Sequence, residues 1–516
     1  MAAVLLAAAA GCASPDANGE GGASGPALRG GTLVIGMSQD SSTLNPASGN
    51  LAEYSFLAYD PLIYRTSSAT YEPDLATSWG YVGTGNTEFQ LSLRHGVKFS
   101  DGSALTAQSV VNSLKYFEKN GGHNVAYAGP VADVTATGPY TVLIKYSSAF
   151  PDAVDSLDQD YNAGFIIGPS GLAAPSSLDS GSDGAGAYVL DTAKTVSGSD
   201  YVFTRNPDYW NPSAVYYDTI DLKPYASAAA EFAALQTGAI QYAQNMPIRY
   251  VANAQADDLD YTTGAGYWIG LFLEDRTRGP LANESVRQAL EYGVNRTAVV
   301  DALYKGFGTP LNDTGVPGTV GYDAATSATY TYDPTKAKQL LTAAGYPHGF
   351  TFKILDVGEL DADGVIANAI SGQLASIGVT AQVTVDSGSF TQFNADLNSK
   401  AYAGLVWQIK GQGEYTESMQ NILSAGTGTG NIFGPSDPQV SSLLDQMADA
   451  PTTAALDTAA RQLTERLDTL AWYIPVAQVD TVELYSPSLH NVPKNFQTID
   501  LDPVGPAAPD SWYQTK

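Results

Sequence analysis

Within residues 350–385 the chain spells an apolar strand (350–355), a polar loop, an apolar helix (365–377) and a strand of alternating polarity (379–385). Strand, helix and strand at this spacing describe a crossover that returns the second strand beside the first in the same direction, the unit of an α/β layer. The residues before it agree. Asn283 is placed to cap a helix in which Val286, Ala289, Leu290, Gly293 and Val294 form one continuous apolar stripe. Asn295 opens a second helix through Val299, Val300 and Leu303 to a stop at Gly306. Asp333 with Pro334 opens a third, which lines up Ala337, Leu340, Leu341 and Ala344 before Gly345.

The N-terminal half reads differently. Residues 31–36 form a short buried strand, Leu44-Asn45-Pro46 a turn, and Phe89, Leu91 and Leu93 alternate with Gln90, Ser92 and Arg94 as a strand with one face in a core. Val97 and Phe99 follow as a second apolar pair, Asp101-Gly102 turns the chain, and Thr106 caps a helix carrying Val110, Val111, Leu114 and Phe117. Residues 451–472 are a last long helical stretch with Leu456, Leu463, Leu467 and Leu470. At 516 residues the chain exceeds what one core can fill, so about three domains or subdomains are expected.

The 53 acidic against 25 basic residues give a formal charge of -28. That balance excludes nucleic acid as a partner, because phosphate-backbone binding needs clustered Lys and Arg. The acidic excess itself reads as a solvated surface. Cys12 is the single cysteine, so no intrachain disulfide forms. Residues 1–11 (MAAVLLAAAAG) are a short apolar run ending in small residues, the pattern of a signal segment before a lipoprotein processing site. Such a run is too short to span a bilayer. Cutting before Cys12 and diacylating its thiol would leave a lipid anchor, with residues 12–29, rich in Gly, Ala, Ser and Pro, as a flexible tether.

Catalytic patterns are missing from the sequence. His95, His123, His348 and His490 have no metal-ligand spacing, and there is neither a GxSxG elbow nor a phosphate-binding GxxxxGK[ST] loop. Glu359, Asp361, Asp363 and Gly364 suggest a calcium loop, but its twelfth position is Ile370, where a bidentate Glu is required. No metal, cofactor or catalytic residue is therefore expected. A secreted hydrolase working through two carboxylates is the one enzyme class compatible with so many acidic side chains.

Five segments carry a family resemblance: 71–79 (YEPDLATSW), 89–106 with LRHGVKFSDG inside it, 186–210 ending in YVFTRNPDYW, 286–290 (VRQAL) and 333–346. In this order and spacing they resemble the family 5 extracellular solute-binding proteins, the peptide and nickel binders of ABC importers. The resemblance implies an α/β, two-lobed fold of the periplasmic-binding-protein type with an extra subdomain in lobe I, closing like a clam on a solute. It implies lobe I at 30–265 with an insert at about 50–180, lobe II at 266–472, and a return to lobe I at 473–516. The chain would cross near residues 264–268 and back near 471–475.

The implied role is capture of peptides outside the cell membrane, as a monomer, for delivery to membrane permease subunits. Oligosaccharide, a nickel chelate or a siderophore are the alternative solutes. Trp407 and Gln408 fall where family members carry a strand that ends in the cleft, and Glu414 and Tyr415 lie in the loop where dipeptide-type members place an aspartate for the ligand's α-amino group. Trp407 reads as a stacking platform or as core. Tyr267 and Trp268 either line the cleft or pack at the hinge, and Asn45 and Tyr54 fall in the implied first cleft loop, where turn chemistry also explains Asn45. Asn431 and Phe433 belong to a loop, 426–435, that either closes over the ligand or is plain surface. The motif RNPDYW itself is expected to be structural, burying Tyr209 and Trp210.

Overall fold

A computed structural model describes residues 26–41, 43–48, 52–121, 125, 128–160, 162–316, 320–324, 329–357, 364–386, 390–410, 418–419, 422–423, 430–434, 436–496 and 502–515. The signal segment, Cys12, His123, the sequence 359–363 and the loop with Glu414 and Tyr415 lie outside the described residues.

An 11-stranded mixed sheet runs through the molecule. Its strands are β1 (Thr32–Met37), β2 (Tyr188–Leu190), β3 (Tyr201–Arg205), β4 (Thr219–Pro224), β5 (Tyr242–Ala243), β6 (Asp260–Leu273), β7 (Gly308–Pro310), β8 (Thr351–Val357), β9 (Thr380–Asp386), β10 (Gly404–Lys410) and β11 (Tyr473–Tyr485). Their order across the sheet is β9-β8-β10-β6-β11-β5-β1-β4-β3-β2, with β7 paired to β11. The expected crossover is present: β8 and β9 pair in parallel along their whole length, from Thr351 with Thr380 to Val357 with Asp386, joined by the helix Val365–Ala375. Strand alternation divides the C-terminal half into two cores. On β6, Trp268 and Phe272 join Leu405 and Ile409 of β10 on one face, while Ile269, Leu271 and Leu273 join Val406 on the other.

The helices begin where capping chemistry places them. The side chains of Asn283, Asn295 and Asp333 accept backbone N–H groups of Ser285, Ala298 and Lys336, and Thr106 and Ser109 form a reciprocal capping box at the helix Ala107–Asn120. That helix packs on a separate four-stranded antiparallel sheet, Ala76–Tyr81, Glu88–Leu93, Thr141–Tyr146 and Val131–Gly138 in spatial order, with its own core around Phe89, Leu91, Val110 and Ile144.

RNPDYW is the joint between this sheet's subdomain and the large sheet. Tyr209 is buried, and the indole of Trp210 donates to Asp60 Oδ2 at 2.7 Å. The Arg94 guanidinium lies 3.7 Å from the Trp210 ring centre and donates through Nε to the Asp74 carbonyl at 2.9 Å. The buried Asp60 and Asp74 meet the half-buried Asp502, bringing three chain segments together, and burial pushes the Asp60 carboxyl up to about 7. The fold holds that proton more tightly than the unfolded chain does. Its stabilising contribution is therefore complete below the ordinary carboxylate range, about pH 4, and is lost as pH rises through about 7. Asp60→Asn keeps an acceptor for Trp210 and removes the titration. Thermal midpoints compared at about pH 5 and about pH 8 are expected to fall less with rising pH in Asp60→Asn than in the parent.

Candidate functional site

Strand direction locates the site. β1 is parallel to both β4 and β5; β5 is antiparallel to β11, β11 to β6 and β6 to β10, while β10 is parallel to β8 and β8 to β9. The parallel strands of the two halves therefore point toward each other along β6. Ala243 lies level with Leu484 and Tyr261, and Lys410 lies level with Tyr267. The carboxyl ends of β1, β4 and β5 thus face those of β8, β9 and β10 across residues 262–266. A crevice at strand carboxyl ends is where open α/β sheets bind ligands.

The crossing is built from glycine for a steric reason. Between Gly264 and Tyr267 the register of β6 against β11 shifts. A Cβ on Gly266 would sit 2.1 Å from the Val479 carbonyl oxygen, and one on Gly264 2.2 Å from the Phe496 ring. Phe496 arrives with a C-terminal segment laid along β6: its N–H donates to Thr263 O at 3.0 Å, and Thr262 Oγ1 donates to Pro493 O at 2.5 Å. On β11 the change of partners falls at 479–481, beyond the expected 471–475. Tyr473, Ile474, Val476 and Ala477 are all buried in the two cores of the C-terminal half, so the strand stays there until Val479.

Four of the expected ligand contacts are buried and contact the protein's own groups. Trp268 is 1% exposed and packs on Phe272 and Tyr473. Tyr54, equally buried, donates its hydroxyl to the Gln39 carbonyl and meets Tyr201 edge-on. Asn45 is a turn residue, donating to Tyr116 Oη and accepting from Ala47 N. Asn431 accepts from Arg276 Nη2 at 2.7 Å and donates to Leu423 O at 2.9 Å.

The other described candidates are half-buried and divide between two faces. Trp407 stacks on Phe393 with centroids 5.2 Å apart and planes 13° from parallel, on the Trp268 face. Phe433 packs near the same core, with Arg278 and Lys400 within 5.5 and 5.7 Å of its ring centre. Gln408 pairs with Ile269 and shares the opposite face with Tyr267.

Sequence reasoning passed over buried charged groups at two places, beyond the far end of β6 and after the carboxyl end of β5. Arg276 is buried, stacks 4.3 Å over Trp472 and donates to the carbonyls of Leu273 and Gly430, while Glu274 Oε2 accepts from Ile432 N at 3.1 Å. The pair nails segment 430–432 to the end of β6, and burial pushes the Glu274 carboxyl up to about 7. On the other side, Glu231 and Glu483 accept the N–H groups of Gln244 and Asn245, the two residues that follow β5 into the crevice. Burial pushes Glu231 up to about 8 and raises Glu483 well above the usual range, the latter helped by Glu231 and Glu53. The available signal was a lone acid inside the apolar helix Ala228–Gln236.

With this geometry in view, the likenesses are specific. The sequence profile described as "Bacterial extracellular solute-binding proteins, family 5 Middle" matches residues 70–431. The chain belongs to that family. The glutathione-binding protein GsiB of Escherichia coli O1:K1 / APEC is 28% identical over 365 residues, 69% of this chain and 70% of that protein. Among solved structures, the periplasmic binding protein DppA from Helicobacter pylori in complex with peptide STSA superposes with a TM-score of 0.77 at 20% identity, over 95% of this chain and 99% of that one. NikA from Brucella suis in complex with Fe(III)-EDTA gives 0.77 at 18%, over 89% and 96%. These structures share the fold, the α/β periplasmic-binding-protein architecture of family 5. Membership makes this an extracytoplasmic solute-binding protein, and no helix among the described residues is long and apolar enough to cross a membrane.

The crossing generates a sharp expectation. Gly266→Ala forces a methyl group against a carbonyl oxygen and should cost about 2 kcal/mol. Urea denaturation is expected to show a lowered midpoint for Gly266→Ala, whereas alanine at Gly372, where a Cβ meets nothing within 4 Å, should leave it unchanged or raised.

Proposed function

We propose that this protein captures peptides outside the cell membrane and hands them to the permease of an ABC importer, closing two lobes around the solute. The observation that carries the reading is the pair of facing carboxyl-end crevices joined by β6 and β11. Two bodies joined at a glycine crossing have somewhere to bend, and a ligand touching both walls favours the closed arrangement by the contacts it makes there alone. Core membership supports lobe I as residues 30–264 with 481–516, carrying the insert at about 50–180, and lobe II as 267–479. Capture as a monomer completes the reading.

Peptide is favoured because named relatives bind peptides, glutathione in one case and STSA in another, and because Trp407, Tyr267 and Gln408 offer aromatic and amide surface without a fixed charge. Such surface suits a ligand held mainly through its backbone. Glu414 is assigned the ligand's amino group, with Tyr415 beside it, and Phe433 a place at the rim. Catalysis plays no part in this reading. Cys12, diacylated after removal of residues 1–11, holds the protein at the outer face of the membrane through the tether 12–29.

Three measurements test this. Thermal melting of a soluble body from Ala13 onward against glutathione, peptide pools of graded length, oligosaccharides and nickel or iron chelates should show stabilisation by one peptide class. A solute at a hundred times its Kd adds about 2.7 kcal/mol. A shift with sugars or chelates alone would keep the fold and overturn the solute. Trp407→Ala should weaken binding of the stabilising peptide about tenfold by calorimetry, the worth of a lost aromatic contact; unchanged affinity would make Trp407 a packing residue. The full chain should partition into detergent and lose that behaviour in Cys12→Ala.

A further inference from the structure

The inserted subdomain reaches the C-terminal half through the tip of one hairpin. Between the strands Ala76–Tyr81 and Glu88–Leu93, Gly83, Gly85 and Asn86 all adopt positive φ, and the Asn86 side chain donates from Nδ2 to the carbonyl of Pro451 at 2.6 Å. These two residues belong to different bodies. Asn86 is carried by the four-stranded sheet and its own core, and Pro451 stands at the corner between the helices Pro438–Ala448 and Thr453–Leu470, whose apolar sides fill the core around Trp268.

Both ends are held firmly. Asn86 O accepts from Phe150 N at 3.0 Å and Thr87 O accepts from Tyr146 N at 2.8 Å, so the tip is tied to its own sheet and only the side chain projects across. On the other side Ala450 is buried with its N–H on Met447 O, and Thr452 caps the following helix through Ala455 N. The Pro451 carbonyl is thus presented by a rigid corner. The left-handed backbone at Asn86, φ 51°, is one that Asn and Gly adopt readily and most residues do not, so position and side chain suit each other.

We propose that Asn86 and Pro451 form a closure latch: a contact between lobe I's inserted subdomain and lobe II that exists in the closed arrangement and breaks on opening. Its use in solute capture rests on the reading above; its existence does not. A single neutral hydrogen bond contributes a modest net free energy, enough to shift a closed-to-open ratio by about two- to tenfold. That magnitude suits a latch that biases closure and still allows release.

The test needs no solute. In a Cys12→Ala background, Asn86→Cys with Pro451→Cys should form a disulfide under mild oxidation, seen as a reducible gel shift, and small-angle scattering of the oxidised protein should give a smaller radius of gyration than the reduced one. Asn86→Gly and Asn86→Asp, which tolerate the same backbone but cannot donate, should both enlarge the radius of gyration relative to the parent at an unchanged thermal midpoint. Absence of the cross-link, or scattering from both donor-less variants identical to the parent, would overturn the latch. Because peptide stabilisation is measured separately, the latch can fail while solute capture stands, and the reverse.

Discussion

Everything in this molecule hangs on the pairing of β6 with β11, two strands long enough to belong to both halves at once. Each is a full sheet member on either side of the crossing, and the ladder between them continues from Asp260 with Tyr485 to Phe272 with Tyr473. Backbone hydrogen bonds are individually modest but obligatory when buried, so the two halves cannot separate without breaking a continuous sheet. The ladder is irregular between Gly264 and Tyr267 and again between Ile269 and Gly270, and a side chain at Gly264 or Gly266 would clash.

Strand direction then turns a connection into a site. Since β6 runs through both halves and each half adds its parallel strands with opposite polarity, the carboxyl ends face each other across the crossing. Trp407, Gln408 and Tyr267 are half-buried on β10 and β6, and buried charge fixes chain segments toward both ends of β6. Arg276 and Glu274 bind segment 430–432 beyond the far end of β6, and Glu231 and Glu483 bind Gln244 and Asn245 just after β5. Burial of a carboxyl is tolerable when it accepts a hydrogen bond, as Glu274, Glu231 and Glu483 do, and burial raises the pKa of each.

Much of the architecture was legible before any coordinates. The crossover unit at 350–385, the caps at Asn283, Asn295, Asp333 and Thr106, and the structural part played by Tyr209 and Trp210 depend on local chemistry or on a period that one element displays by itself. The site was less legible. Trp268, Tyr54, Asn45 and Asn431 are buried against partners that the sequence does not announce. Asn431 is answered by Arg276 and Asn45 by Tyr116, pairings with no spacing rule. The return crossing depends on the same kind of fact: whether residues 473–477 belong to one half or the other is set by which core receives them.

By itself the sequence determined the class of fold, the position of most helices and the family, because capping residues, apolar periodicity and a set of spaced motifs are properties of the chain read in order. The single cysteine also rules out an intrachain disulfide, since that follows from counting side chains. The tertiary structure alone decided which polar groups are spent on the protein and which remain at the crevice. That choice is made by burial and by pairing between residues hundreds of positions apart, as between Asn86 and Pro451, and free energies of that kind exist only once the chain has folded.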